Sequence, residues 1–169
     1  MRVRHQGDGG PPIRVLRIID RLNVGGPALH AVLVSAGLDP SRFQTLLVHG
    51  DIEPSEGDMA YLMDRHEINV VHLPTLRRGP RPLRDLRALL ALYRLMRRLQ
   101  PDVVHTHKSK AGVLGRVAAV LARVPVRVHT YHGHVLSGYF HPLAARGLLF
   151  VERTLARGTT RLLTISDRL

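Results

Sequence analysis

Two histidine-rich knots hold most of the reactive side chains in this 169-residue chain. The first is Asp102-Val103-Val104-His105-Thr106-His107-Lys108-Ser109-Lys110, and the second is Val126-Arg127-Val128-His129-Thr130-Tyr131-His132-Gly133-His134. Each is a β-branched run that stops in His, Thr, Lys or Gly. Residues two apart on a strand share a face, so His105 and His107 lie together. His129 is expected to point into the packing of one face, while His132 and His134 fall past the strand end. A neutral imidazole both donates and accepts hydrogen bonds, which suits a hydroxylated ligand. The alternative, satisfied histidines at strand ends, stays open for His105 and His129. A metal needs three or four converging ligands. From His105 to His141 there is no Asp or Glu. Any metal site there would be all imidazole, and none is expected.

Three smaller features add to this. Gly25-Gly26 precedes Pro27. A glycine pair between a strand and a helix lets a ligand approach the backbone, and the helix start offers free N–H groups to a phosphate. The other reading is a tight turn that needs positive φ. No G-x-G-x-x-G fingerprint and no P-loop Lys accompany the pair. Lys108 and Lys110 would attract an anion or form a solvated basic loop, with Ser109 between them as a helix N-cap. Ser166 follows the last strand, where a hydroxyl can bind a ligand or cap a helix. No G-x-S-x-G elbow surrounds it, which excludes a hydrolase nucleophile of that type.

Alternating elements must position these residues. Apolar strand patterns occur at Ile13–Ile19, Phe43–Val48 and Asn69–Leu73, from Asp102, from Val126, and at Arg161–Ile165. Helical patterns occur at Ala28–Leu38, Glu56–His66, Leu83–Leu99, from Ala111, and at Pro142–Arg157. In the first helix Leu29, Val32, Leu33 and Ala36 share a face. In the third, Leu86, Leu89, Leu90, Tyr93, Met96 and Leu99 form the apolar side, with Arg84, Arg87, Arg94 and Arg98 as a stripe. The small residues Ala111, Gly112, Gly115, Ala118, Ala119 and Ala122 let the helix that contains them lie close to the sheet. Strand and helix alternating about six times argues an α/β, Rossmann-like, doubly wound parallel sheet with strand order 3-2-1-4-5-6. In such sheets ligands sit beyond the carboxyl ends of the strands, where both histidine knots lie.

Bulk composition narrows the classes. The length suits one domain, with residues 1–12 (Gly7-Asp8-Gly9-Gly10-Pro11-Pro12 among them) as a flexible leader. The chain has no Cys, which excludes disulfides and suits a reducing, cytoplasmic compartment. No apolar run approaches a membrane span. The net charge of +12 raises nucleic-acid binding. Against it stand 4% aromatic content and arginines spread along the chain, so no nucleic-acid partner is expected. The basic amphipathic helix Leu83–Leu99 reads as the solvated side of a covering helix. It also fits peripheral contact with the inner face of an anionic membrane, and the basic and apolar run Leu136–Leu149 adds weight to that.

The assembled pattern resembles the N-terminal domain of a GT-B-fold glycosyltransferase of family 4, over Ile13 to Leu169. The matching pieces are Gly25-Gly26-Pro27-Ala28-Leu29-His30, Pro101-Asp102-Val103-Val104-His105-Thr106-His107, and His129-Thr130-Tyr131-His132-Gly133-His134. The tail Glu152-Arg153-Thr154-Leu155-Ala156-Arg157 with Leu163-Thr164-Ile165-Ser166 also fits. The resemblance implies a retaining transferase that moves a sugar from a nucleotide-sugar donor to a sugar or lipid-linked acceptor, with no cofactor or metal. It implies that Gly25 and Gly26 meet the donor diphosphate and that His132 is the catalytic position, in contact with the transferred sugar or the reaction centre. It places His107, Lys108, Ser109, His134 and Ser166 around the acceptor or substrate. The nucleotide-sugar domain of such enzymes has no counterpart in these residues, so a fragment inactive alone is expected. The alternatives are a binding or regulatory domain on the same half fold, or a nucleotide-sugar epimerase. The acid-free stretch from His105 to His141 argues against the epimerase. Donor and acceptor identity and oligomeric state are not legible in the sequence.

Overall fold

The computed structural model describes residues 10–133 and 142–166. Its strands are β1 (Ile13–Arg21), β2 (Phe43–Gly50), β3 (Val70–His72), β4 (Val103–His107), β5 (Val126–Tyr131) and β6 (Arg161–Thr164). Its helices are α1 (Gly26–Ala36), α2 (Tyr61–Arg65), α3 (Pro82–Leu99), α4 (Ser109–Leu121) and α5 (Pro142–Arg157). The strands form one sheet in the order β3-β2-β1-β4-β5-β6, every neighbouring pair parallel. The 3-2-1-4-5-6 order and the doubly wound α/β class agree with the sequence pattern. The chain reverses direction of winding between β1 and β4, so the crevice where ligands collect lies beyond their carboxyl ends.

A central parallel strand is covered on both faces and reads as a continuous apolar run. Residues Val15 to Asp20 of β1 are accordingly all buried. One face carries Leu16, Ile18, Val48 and Val104 against Leu92 and Met96 of α3 and Ala118 and Ala119 of α4. The other carries Ile19 and Leu47 against Ala28, Ala31 and Val32 of α1 and Leu62 and Met63 of α2. Close approach explains the small residues of α4. A Cβ built on Gly112 would lie 2.5 Å from Cε1 of His129, so only glycine lets α4 pass over that buried ring.

Three local expectations are corrected. Helix α1 turns Ala28, Ala31, Val32 and Ser35 inward and leaves Leu29 and Leu33 about 40–45% exposed. Ala28, Ala31 and Val32 pack on Ile19 and Leu47, and Ser35 meets Arg17. In α3 the buried residues are Ala88, Leu92 and Met96, while Leu86 and Leu90 face outward with Leu83. Helix α2 is only five residues long. The residues before it are instead clamped to the β1–α1 turn: Val24 N–H donates to the Gly57 carbonyl (3.0 Å), Met59 N–H donates to the Leu22 carbonyl (2.9 Å), and Asn23 pairs with Asp58. Most of the leader, His134 and the start of the Leu136–Leu149 run lie outside the described residues.

Candidate functional site

The site begins with strand alternation. His105 and His107 on β4 point to the α1 side, their ring centroids 4.2 Å apart. Thr106 and His129 point the other way, and the Thr106 hydroxyl meets His129 Nδ1 at 2.8 Å beneath α4. His105 Nε2 pairs with Thr130 Oγ1 at 2.7 Å. His105 and His129 are thus satisfied core histidines at the strand ends. His107 instead reaches the rim, where its Nδ1 lies 3.0 Å from His132 Nε2. His30, on the first turns of α1, completes the group. Its centroid is 5.5 Å from His107 and 5.2 Å from His132.

These three imidazoles come from three elements, each for a physical reason. Pro27 has no N–H and starts a helix without loss. Three residues later His30 lies on the inward side of α1. β4 ends at His107, and the chain leaves the sheet at His132. Burial keeps the imidazoles neutral. It lowers the pKa of His105 to about 3, of His129 to about 3 and of His132 to about 4, and lowers those of His107 and His30 as well. Arg17, paired with His105 across β1 and β4, adds electrostatic pressure in the same direction on His30, His105 and His107. Arg17 is itself buried, donates to Ser35 Oγ at 2.8 Å, and is lowered to about 10 by burial.

The buried Nε2 of His107 has no hydrogen-bond partner among the described residues. An orphaned buried N–H is rarer than an orphaned acceptor. The proton of neutral His107 therefore belongs on Nδ1, donating to His132 Nε2. That leaves His132 with its own proton on Nδ1, as a donor to whatever occupies the rim. The ligand nitrogens of His30, His107 and His132 lie within 4.8 Å of one another, and this is the one group among the described residues that could hold a metal ion. It contains no carboxylate, and the Arg17 cation behind it opposes a dication.

The glycine pair adjoins this cluster. Gly25 has φ +151°, a conformation that side chains rarely adopt, and its N–H faces Met59 Sδ at 3.4 Å. The turn therefore accounts for Gly25. Gly26 has no such φ, and a Cβ there would meet nothing within 4 Å. Neither turn geometry nor packing demands glycine at 26, and the backbone there stands open. The N–H groups of Gly26 and Ala28 belong to the first turn, where a helix supplies no internal partner, and Pro27 carries none.

Lys108 lies elsewhere than its spacing suggests. At φ 63° it turns back, so that Nζ meets Asn23 Oδ1 at 2.6 Å and Asp20 Oδ1 at 3.4 Å. Lys110 is paired with Asp85 at 2.5 Å. Both ammonium groups are thus matched by carboxylates and do not form an open anion site. Ser109 is the first residue of α4, not its cap; Lys108 occupies the cap position, and its side chain makes no capping bond to the helix. Ser166 is exposed just past β6, one strand beyond β5. His134 lies outside the described residues. The structure therefore unites Gly25, Gly26, His107 and His132, with Lys108 beside them. His30, Arg17 and Asp20 are additional members. Arg17 and Asp20 are signalled in the sequence by charges inside an apolar strand, and His30 by its position one helical turn after the glycine pair.

Comparison with known proteins follows the same lines. A family model described as a glycosyl transferase 4-like domain matches residues 9–169. The UDP-Gal:alpha-D-GlcNAc-diphosphoundecaprenol alpha-1,3-galactosyltransferase of Escherichia coli is 38% identical over 107 residues, which are 63% of this chain and 27% of that protein. The crystal structure of Acinetobacter baumannii MurG superposes with TM-score 0.64 at 17% identity, covering 92% of this chain and 42% of MurG. The UDP-GlcNAc 2-epimerase of Neisseria meningitidis, bound to UDP-GlcNAc, gives TM-score 0.58 at 11% identity over 85% of this chain and 38% of the epimerase. These two solved structures share the fold alone. The chain spans about a quarter to two fifths of the length of these three proteins. With the family model matching nearly its whole length, this chain belongs to the glycosyl transferase 4-like family.

Proposed function

We propose that the chain is the acceptor-side half of a retaining glycosyltransferase that moves a hexose from a uridine diphosphate sugar to a lipid-linked saccharide. One observation carries this reading. The open glycine turn and the His30–His107–His132 cluster meet on a single rim of the sheet, within one helical turn of each other. Gly26 and Ala28 offer N–H groups and the positive end of α1 to the departing diphosphate, which gains negative charge as the sugar leaves. His132 presents a neutral donor to the sugar or to the acceptor oxygen. The donor sugar and the lipid-linked acceptor are inferred from the E. coli relative. In this reading the nucleotide is held mainly by sequence outside these 169 residues. The reading needs no cofactor.

A membrane role accompanies it. Leu83, Leu86 and Leu90 lie exposed on α3, followed on the same outward side by Arg87, Arg94, Arg97 and Arg98. An apolar strip edged with arginines suits the anionic surface that presents a lipid-linked acceptor. No helix among the described residues is long and apolar enough to cross a membrane.

The test is calorimetric titration with UDP-galactose and a turnover assay. Both are run on this chain and on the chain extended by the downstream reading frame. Weak binding by the short form, and turnover by the extended form that falls at least about a hundredfold in His132→Ala, are expected. Turnover by the short form at the extended form's rate refutes the half-site reading. Turnover indifferent to His132→Ala refutes the site.

A further inference from the structure

A cavity opens on the same rim, two and three strands away from His107. Its volume is about 340 Å³, and it is lined by Leu22, His49, Asp51, Asp58, His72 and Arg77, among others. Ligand pockets for small molecules start near this size, about 300 Å³. With strands about 4.8 Å apart, the ends of β2 and β3 lie about 10–14 Å from that of β4.

Its polar groups are bonded to one another and to the backbone. Asp51 accepts from Arg77 Nε at 2.7 Å and from His72 Nε2 at 2.5 Å. Burial alone would raise the pKa of Asp51, but these hydrogen bonds hold it below the usual carboxylate range. Donating through Nε2, His72 in its neutral form keeps Nδ1 as an acceptor. His49 Nδ1 donates to the Gly50 carbonyl at 3.1 Å, which leaves Nε2 as an acceptor. The two rings stack with centroids 5.1 Å apart. Asp58 is an exposed carboxylate at the mouth. Leu22, Ile52 and Ala60 add apolar wall. The shape depends on Gly50. A Cβ there would lie 1.6 Å from the Leu76 carbonyl, so glycine lets the β3–α3 segment cross β2 and set Arg77 over Asp51.

The charges decide the ligand class. Arg77 is already matched by Asp51, and Asp58 adds a second negative group. An anion such as a diphosphate would meet uncompensated carboxylate. A neutral ring with hydroxyls on its edges would find planar acceptors, a guanidinium and an apolar wall. We propose that this cavity is a subsite for a neutral pyranose of the acceptor glycan, one sugar removed from the residue that receives the transferred hexose. The assignment of the ring to the acceptor rests on the transferase reading above; the cavity's preference for a neutral sugar does not.

The test is an amide NMR titration of the chain with methyl N-acetylglucosaminide, methyl galactoside and inorganic pyrophosphate as separate probes. At least one glycoside should shift the amides of Ile52, Asp58, Ala60 and His72, with a Kd of about millimolar order. Ala60→Phe, which fills the cavity and leaves the Asp51 pairs in place, should abolish those shifts. His72→Ala should weaken them about tenfold. No response to either glycoside, a response confined to Gly26 and His132, or a stronger response to pyrophosphate each overturns the subsite. So does glycoside binding unchanged by Ala60→Phe. The UDP-galactose titration reads the other cluster. Its failure alone removes the transferase and leaves a sugar-binding cavity; failure of the glycoside titration alone removes the subsite and leaves the transferase.

Discussion

Acidification from about pH 7.5 to about pH 5 should remove a large part of the fold's stability. His105, His107 and His129 are each no more than 6% exposed. Burial lowers His105 and His129 from 6.5 to about 3, and lowers His107 further in the same direction. In the unfolded chain all three take up protons near pH 6.5, while in the folded chain they stay neutral. The unfolded state therefore binds more protons as pH falls below 6.5. Stability is lost from there down to the folded pKa near 3, and is insensitive to these groups above 6.5. Each group costs about 1.4 kcal/mol per pH unit, hence about 2 kcal/mol by pH 5. Three such groups remove about 6 kcal/mol, against a total of about 5–15 kcal/mol for a domain. Urea unfolding followed by far-UV circular dichroism at several pH values measures this directly. His129→Gln should reduce the pH-dependent loss by about one group's share, 2 kcal/mol. A stability that changes by less than about 2 kcal/mol between the two pH values refutes the burial of neutral imidazoles.

Gly112→Ala should destabilise the fold by about 1–3 kcal/mol: the new methyl displaces the His129 ring and strains its bond to Thr106, a cost that exceeds the gain of about 1 kcal/mol in helix propensity. A neutral or stabilising result in urea unfolding would mean that α4 does not ride on that ring. The double substitution Leu83→Glu with Leu86→Glu should lower binding to phosphatidylglycerol vesicles at least about tenfold in a sedimentation assay. Retained binding would place the lipid contact away from α3. Chelation with EDTA should leave turnover by the extended protein unchanged; loss of turnover that zinc restores would turn the imidazole cluster into a metal centre.

Strand order and rim position were legible because parallel strands buried on both faces write themselves as unbroken apolar runs, and their polar ends follow. The knot at His107 and His132 could be read for that reason. Side-chain direction on the helices was less legible. Periodicity weights leucine, so Leu29 and Leu33 look inward. In the structure Ala28, Ala31, Val32 and Ser35 face the sheet instead, with Ser35 against the buried Arg17. Lys108 misled because spacing shows a cation but not its φ, and φ aims its ammonium at Asp20. The β2–α2 segment misled as well: a run from Glu56 that looks helical is held extended by pairing of Gly57, Asp58 and Met59 with Val24, Asn23 and Leu22. Long-range pairing of that kind leaves no local trace.

That pairing has a mechanical consequence. Residues 22–25 and 57–59 are stitched by backbone bonds on both sides of Asn23 and by the Gly25–Met59 contact. One flank of the seam bears the glycine turn; the other leads into the cavity through Asp58 and Ala60. Neither loop can be displaced without dragging its partner. The glycine turn and the cavity wall are therefore parts of one unit, and the amides of Val24 and Met59 should exchange together.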